Sequence, residues 1–446
     1  MAKTGAKTYY ITTMGCQMNE HDSERIAGLL EAYGYVQAED ISEADLILFN
    51  TCCVRENPEN KLYGRLGEIK RLKEKNPNLI VGVCGCMVQQ DVQRERLEES
   101  YPYVDLIFGT HNLHRVPALL ERAEAGERVI EVWDEAQEQV EGVPAKRGHD
   151  LKAWVNVTFG CDNFCSYCIV PYVRGRCRSR EKEAVLSEIR DLVAKGYREV
   201  TLLGQNVNAY GKDLDSPLDF ADLLAEVNAI PGLWRVRFTT SHPRDVDDKM
   251  IEALARLEKV CEHLHLPLQS GSSRILARMN RGYTSEQYLK LVEKIKRAVP
   301  GISLTTDIIV GFPGETDEDF AETMRVVEEV RYDSAFTFVY SPRVGTPAAK
   351  MPDQVPEEVK KERIMALVDL QKSISEDANR SYLGKEVEVL VEGPSKNNDQ
   401  VLASRTRTNK LVHFSGGPEL IGKLVTVKIT EITPWTLYGE MVGESK

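Results

Sequence analysis

Short apolar runs alternate with charged, helix-period segments over the first third of the chain. Strands are predicted at Thr8–Thr13, Asp45–Asn50, Leu79–Val83, Val104–Phe108 and Val129–Val132. Helical stretches such as Glu59–Lys75 and Gln89–Glu99 lie between them. This is the pattern of a doubly wound parallel α/β domain, expected over 7–125. The polar stretch Asp134–Lys152, with Pro144 and Gly148, reads as a linker. The alternation then resumes, with strands predicted at Trp154–Phe159, Glu199–Leu203, Arg235–Thr240, His263–Leu268, Ser303–Val310 and Ser334–Tyr340. Six βα units over 147–377 make an incomplete (βα)6 TIM-like barrel, because a full one needs eight. From about Tyr382 the texture becomes β-rich, with Gly, Pro and Asn turns. A small antiparallel β-barrel of the OB or a related type is expected over 380–444.

A length of 446 residues fits two or three such domains. The net charge of −12 argues against a surface coated in basic residues for nucleic acid. RNA remains open, since a local patch matters more than the sum. The charges balance from Ser381 onward, which makes the tail the least acidic part of the chain. Residues Met1–Lys7 lead straight into a strand and lack the apolar core of a signal peptide. No apolar run reaches membrane-spanning length. A cytoplasmic protein with reduced thiols is expected, and ten cysteines there suggest metal more than disulfides.

Three of those cysteines fall within eight residues, Cys161, Cys165 and Cys168, in a C-x-x-x-C-x-aromatic-C loop after the first barrel strand. Electron-transfer [4Fe–4S] clusters are closed by four cysteines, and structural zinc sites by four Cys or His ligands. A loop of three leaves one iron open to a small molecule. No second Cys or His pair follows at zinc spacing. Cys16, Cys52 and Cys86 each follow one of three successive N-terminal strands, where ligands bind in parallel α/β sheets. Together they make a second metal or cluster site. Catalytic groups of barrels also gather at the C-terminal ends of the strands, so the two sites are expected to face each other across a domain boundary. Cys53, Cys84, Cys177 and Cys261 are expected to be core packing.

The Cys161–Cys168 loop resembles that of the radical S-adenosylmethionine (SAM) superfamily. With Gly15-Cys16-Gln17-Met18-Asn19, Asn50-Thr51-Cys52 and Gly85-Cys86 the chain resembles the methylthiotransferases. Leu203–Asn208, Thr240–Pro243, His265–Gly271, Thr306–Thr316 and Ser341–Arg343 resemble the MiaB-type tRNA branch, and the tail resembles a TRAM domain. The resemblance implies two [4Fe–4S] clusters, one on Cys161, Cys165 and Cys168 that binds SAM, and an auxiliary one on Cys16, Cys52 and Cys86. It also implies methylthiolation at C2 of an N6-dimethylallyl-adenosine next to the anticodon of tRNA. One SAM would give the methyl group and a second a 5′-deoxyadenosyl radical. The alternatives are sister reactions, on threonylcarbamoyl-adenosine in tRNA or on a ribosomal-protein aspartate.

By motif position, Tyr167 would lie beside the SAM adenine, and Gly311, Phe312 and Pro313 would form a turn that admits the nucleoside. Gln205 stands where related proteins carry an acid for the SAM amine. Arg174, Arg176, Arg178, Arg180 and Lys182 form a basic run suited to the SAM carboxylate or to phosphates. In the tail, Arg405, Arg407 and Lys410 near His413 and Phe414 are read as a phosphate-tracking patch with an aromatic partner. A monomer is expected, with tRNA as partner, no membrane, and a small flavodoxin or ferredoxin as electron donor.

Overall fold

A computed structural model describes residues 5–444, apart from 54–55, 138–139, 149, 216–217 and 397. Six parallel strands open the chain: β1 (Thr8–Met14), β2 (Val36–Gln37), β3 (Leu46–Thr51), β4 (Ile80–Gly85), β5 (Leu106–Phe108) and β6 (Val129–Glu131). Their order is β2-β1-β3-β4-β5-β6, so the winding reverses between β1 and β3. Leu46 and Leu48 face Ile26, Leu30 and Leu120 on one side, while Ile47 and Phe49 face Leu62, Leu66 and Leu97 on the other. Both faces are thus covered by helices, as a doubly wound sheet requires. The two-residue β2 escapes sequence reading because Val36 is an exposed edge position rather than part of an apolar run.

The second unit holds β7 (Lys152–Asn156), the short hairpin β8 (Thr158–Phe159) and β9 (Arg178–Ser179), and then β10 (Glu199–Leu203), β11 (Arg235–Phe238), β12 (His263–His265), β13 (Ser303–Val310) and β14 (Ser334–Val339). The six long strands run parallel as β7-β10-β11 and β12-β13-β14. A bridge between Val236 and Val260 joins the halves. Val155, Val200, Val236, Leu264 and Leu304 pack outward in the main core with the helices. Alternate residues face the other way. There Glu199 pairs with Arg237 at 3.1 Å, and His265 meets Thr305 at 3.0 Å. The inside of this part-barrel is therefore polar, unlike the layered aliphatic filling of a closed TIM barrel.

The tail closes into a barrel of β15 (Glu386–Ser395), β16 (Asn398–Thr406), β17 (Leu411–Ser415), β18 (Leu424–Ile432) and β19 (Leu437–Glu444). Four seams are antiparallel; the fifth, β17 with β19, is parallel. This refines the all-antiparallel expectation. After β17 the chain crosses to pair β18 with β15, so β19 returns alongside β17.

The tail barrel seats its β16–β17 turn on the N-terminal end of the larger part-barrel. Arg235 donates to the carbonyl of Arg405 at 2.7 Å. Arg237 donates to the carbonyls of Thr406 and Arg407 at 2.8 and 2.9 Å. Lys152 pairs with Glu392 at 2.9 Å. The cysteine loop lies at the opposite end of the strands.

The predicted linker is packed rather than loose. Gly28 lets it cross the helix Gln17–Tyr33 so closely that any Cβ there would collide with the carbonyl of Pro144. Arg147 then bridges Glu24 at 3.0 Å and Glu188 at 2.5 Å, which ties the first domain to the second.

Candidate cluster and cofactor site

Cys16, Cys52 and Cys86 all sit at the carboxyl edge of the first sheet, beside the β1/β3 reversal. Cys16 occupies the position before the helix Gln17–Tyr33 and makes no side-chain cap. Cys52 follows β3 and Cys86 follows β4; both are buried. Gly85 has φ +97°, and a side chain there would collide with Thr51 and Asn50. The turn that presents Cys86 therefore requires glycine. Asn19 and Asn50 brace the edge through a 3.1 Å amide hydrogen bond.

The Cys16 thiol is pulled down to about 5, first by a hydrogen bond with Cys52 and then by the Arg174 charge, against its burial. Cys86 is lowered by a hydrogen bond from Cys53 and again by Arg174. Cys53 is fully buried among Cys86, Ile169 and Val173, whereas Cys84 lies in the core on one face of the sheet. Among the described residues no group of three His, Cys, Asp or Glu is placed to hold a single metal ion. Three soft thiols beside a buried guanidinium suit an anionic iron–sulfur core.

In the second trio, the loop leaves Gly160, where φ is +73° and a side chain would strike the backbone of Gly175 and Arg176. Gln205 caps this turn by accepting from the Gly160 amide at 2.5 Å. The candidate for the SAM amine thus stands next to Cys161. Phe164 has φ +44°, a strained conformation for an aromatic residue. Burial pushes Cys161 up to about 11 and Cys168 up to about 12. A bound metal would deprotonate such thiols outright. Arg281, which is buried, donates to Cys165 Sγ at 3.3 Å, to Tyr167 Oη at 3.4 Å and to the Pro267 carbonyl at 3.2 Å. Each thiol trio therefore has one buried arginine against one of its sulfurs.

The mouth of the part-barrel supplies an independent sign of a polar ligand. Asn156, Thr158, Ser241, His242 and Gln269 are buried near strand ends, and each has a side-chain polar atom without a hydrogen-bond partner. Such atoms cost free energy unless something satisfies them. Thr240 and Gln269, at φ +61° and +71°, add backbone strain in the same place. The donors and acceptors fit the amino, carboxylate and hydroxyl groups of SAM. Tyr167 packs against a cluster containing Phe312, Met279 and Tyr340, so the structure brings these two candidates together. Phe312 is fully buried, and the side chain of Lys360 fills the space over Gly311. The turn Gly311-Phe312-Pro313 is therefore closed on that side.

Two expectations need correction. The basic run is largely neutralised: Arg174 pairs with Asp22 at 2.7 Å, Arg180 with Glu141 and Glu188, Lys182 with Glu226, and Arg176 with Asp162. Arg178 donates to the carbonyls of Arg174 and Arg176. Of this run Arg174 reaches the first domain and Arg180 the linker, while Arg176, Arg178 and Lys182 find partners within the second domain. The tail patch is also not free. Arg407 clasps Glu262 in two hydrogen bonds near 2.7 Å, Lys410 pairs with Asp333 at 2.7 Å, and Arg405 with Glu392 at 3.4 Å. Phe414 is 2% exposed in the barrel core and cannot stack on a base. Arg407 and Lys410 face the second domain rather than solvent. Replacing Arg407 by Ala should lower unfolding stability by about 1–2 kcal/mol and leave the salt dependence of RNA binding as it was. A flattened salt slope at unchanged stability would restore the original reading.

Three family models match the chain in order: an uncharacterized protein family, UPF0004, over 8–109, the radical SAM superfamily over 155–327, and the TRAM domain over 380–442. The radical SAM match falls on the part-barrel with the Cys161 loop and defines the class. The fold agrees, since the cobalamin-bound radical SAM methyltransferase TsrM of Kitasatospora setae superposes with a TM-score of 0.57 at 15% identity, over 77% of this chain and 74% of that one. Within that class, the sequence is 60% identical to the tRNA-2-methylthio-N(6)-dimethylallyladenosine synthase of Carboxydothermus hydrogenoformans, covering 98% of this chain and 99% of that one. The synthase of Acetivibrio thermocellus is 56% identical over 99% of this chain and 92% of its own. The chain belongs to this family of tRNA-2-methylthio-N(6)-dimethylallyladenosine synthases.

Proposed function

We propose that this protein methylthiolates C2 of N6-(dimethylallyl)adenosine at position 37 of tRNA, 3′ of the anticodon. The observation that carries the reading is that Cys86 of one trio packs against Ile169, the residue after Cys168 of the other, in a chain similar along its whole length to the synthases. C2–H of adenine is neither acidic nor nucleophilic, so a cofactor must supply the reactivity. Bound at the two trios, [4Fe–4S] clusters and SAM would provide one-electron cleavage of SAM and delivery of sulfur and methyl. Cys161, Cys165 and Cys168 would hold the SAM-binding cluster, and Cys16, Cys52 and Cys86 the auxiliary one. The chain's other residues place these groups. Gln205 and Gly160 set the Cys161 turn, Tyr167 packs beside the Phe312 cluster, and the unpartnered atoms of Asn156, Thr158 and Ser241 receive the polar parts of SAM.

The units would be 7–125 for the auxiliary site, 147–377 for the radical SAM core and 380–444 for RNA binding. With its basic hairpin docked, the tail would meet RNA through another surface, where Trp435 stands 62% exposed in the turn between β18 and β19. No helix among the described residues is long and apolar enough to cross a membrane. A monomer in the cytoplasm, reduced by a small flavodoxin or ferredoxin, completes the reading. The dimethylallyl substrate is preferred to threonylcarbamoyl-adenosine or a ribosomal-protein aspartate because the relatives above carry that name.

The test is an anaerobic assay on tRNA with and without the dimethylallyl group. Modified tRNA should give product with 5′-deoxyadenosine and S-adenosylhomocysteine in equal amounts. Equal turnover of the unmodified tRNA, or product without one of the two coproducts, would refute the proposal.

A further inference from the structure

The Arg174 side chain, from the second domain, reaches a thiol of the first trio in a hydrogen bond. Its Nε donates to Cys86 Sγ at 3.2 Å and its Nη2 to Asp22 Oδ2 at 2.7 Å. The side chain is 7% exposed, as is that of Asp22. Its backbone is fixed too. Arg174 ends the short helix Val170–Val173, and its amide donates to the Val170 carbonyl at 2.8 Å. Thr110 of the first domain donates to the Val173 carbonyl at 2.9 Å. The guanidinium is thus held from both sides and presents a fixed N–H to Cys86, its charge balanced by Asp22. The same stretch of chain begins at Cys168, a ligand candidate of the other site, six positions earlier.

We infer that Arg174 is a positioning residue of the auxiliary site that holds Cys86 and raises the reduction potential of the group bound there. This rests on the reading of Cys16, Cys52 and Cys86 as ligands. An electron added to a thiolate-bound cluster increases its negative charge. A buried N–H donor to a ligating sulfur favours that reduced state, and such hydrogen bonds set iron–sulfur potentials. The ion pair with Asp22 fixes the fork without neutralising its N–H toward sulfur. Arg180 offers the contrast. It is equally buried at the same seam but binds only carboxylates and the Asn156 carbonyl.

The experiment uses full-length protein in which Cys161, Cys165 and Cys168 are all Ala, so that only the auxiliary site can load. Iron and sulfide counts and an EPR-monitored redox titration are then compared for that parent and for R174Q, R174K and R180Q within it. The parent should hold one cluster; a parent without iron would refute the ligand reading itself. R174Q should keep the cluster at a more negative potential, R174K should shift less in the same direction, and R180Q should match the parent. An R174Q cluster at the parent potential would overturn the inference, as would an equal shift in R180Q, which would mark loosening of the seam. Where R174Q fails to hold iron, R174K decides: a negative shift supports the role of Arg174, and no shift removes it.

Discussion

Replacing Cys165 by Ala should abolish SAM cleavage and product formation together, by at least about 10³-fold, or more than about 4 kcal/mol of barrier. Cys165 is buried, its sulfur receives Arg281, and it shares its loop with two further thiols. Removing it leaves two thiols where an open-cornered cube needs three. The fold should survive. Arg281 keeps its bonds to the Pro267 carbonyl and to Tyr283 Oη, and the loop keeps the Ser166 bonds to the carbonyl of Arg278 and from its own amide to that of Met279. Thermal unfolding should therefore change little relative to a Cys177→Ala control, while one of two clusters disappears from the iron count. Retention of 5′-deoxyadenosine formation by the Cys165→Ala protein would remove the loop from the chemistry.

Much of this arrangement can be read along the chain, and the exceptions share a cause. Strand positions, the three-part layout and both cysteine trios follow from local pattern, because an apolar run or a Cys spacing is a property of neighbouring residues. The mutual bracing of the motifs is visible only in space. Asn206 follows Gln205, yet its side chain accepts from the His242 amide at 3.2 Å and donates to Asp245 at 2.7 Å. Arg281 sits in an Asn-Arg-Gly turn with no sequence sign that it meets Cys165. The basic run and the tail arginines depart from expectation for the complementary reason. A cation's role depends on which carboxylate lies across from it, and Asp22, Glu141 and Glu262 are distant in sequence from the arginines they neutralise.

Those pairings also explain how one chain can keep two reactive sites apart yet adjacent. Arg147 and Arg174 hold the first domain against the second and Arg180 ties down the linker, while Arg235, Arg237 and Arg407 hold the tail against the far end of the strands. Buried ion pairs with satisfied hydrogen bonds lose much when one partner is removed, and so resist sliding. The seam at the cysteine end is therefore fixed.

Replacing Cys16 by Ala is the second large effect, and it separates the two half-reactions. Cys16 is exposed as a residue, with its thiol turned in toward Cys52, and makes no side-chain cap, so its loss costs the helix Gln17–Tyr33 little. The Arg174–Asp22 pair and the Cys161 loop do not touch it directly. The variant should lose the auxiliary cluster yet still cleave SAM to 5′-deoxyadenosine in the presence of reductant, while methylthiolated tRNA falls by at least about 10³-fold. Hydrogen abstraction without sulfur delivery is the signature of an intact SAM site beside an empty sulfur site. The Cys165→Ala protein should lack both activities, so the pair of variants orders the steps. Product from the Cys16→Ala protein within tenfold of wild type would show that sulfur does not pass through the Cys16, Cys52 and Cys86 trio. Loss of both activities in it would show that the two sites form one inseparable unit.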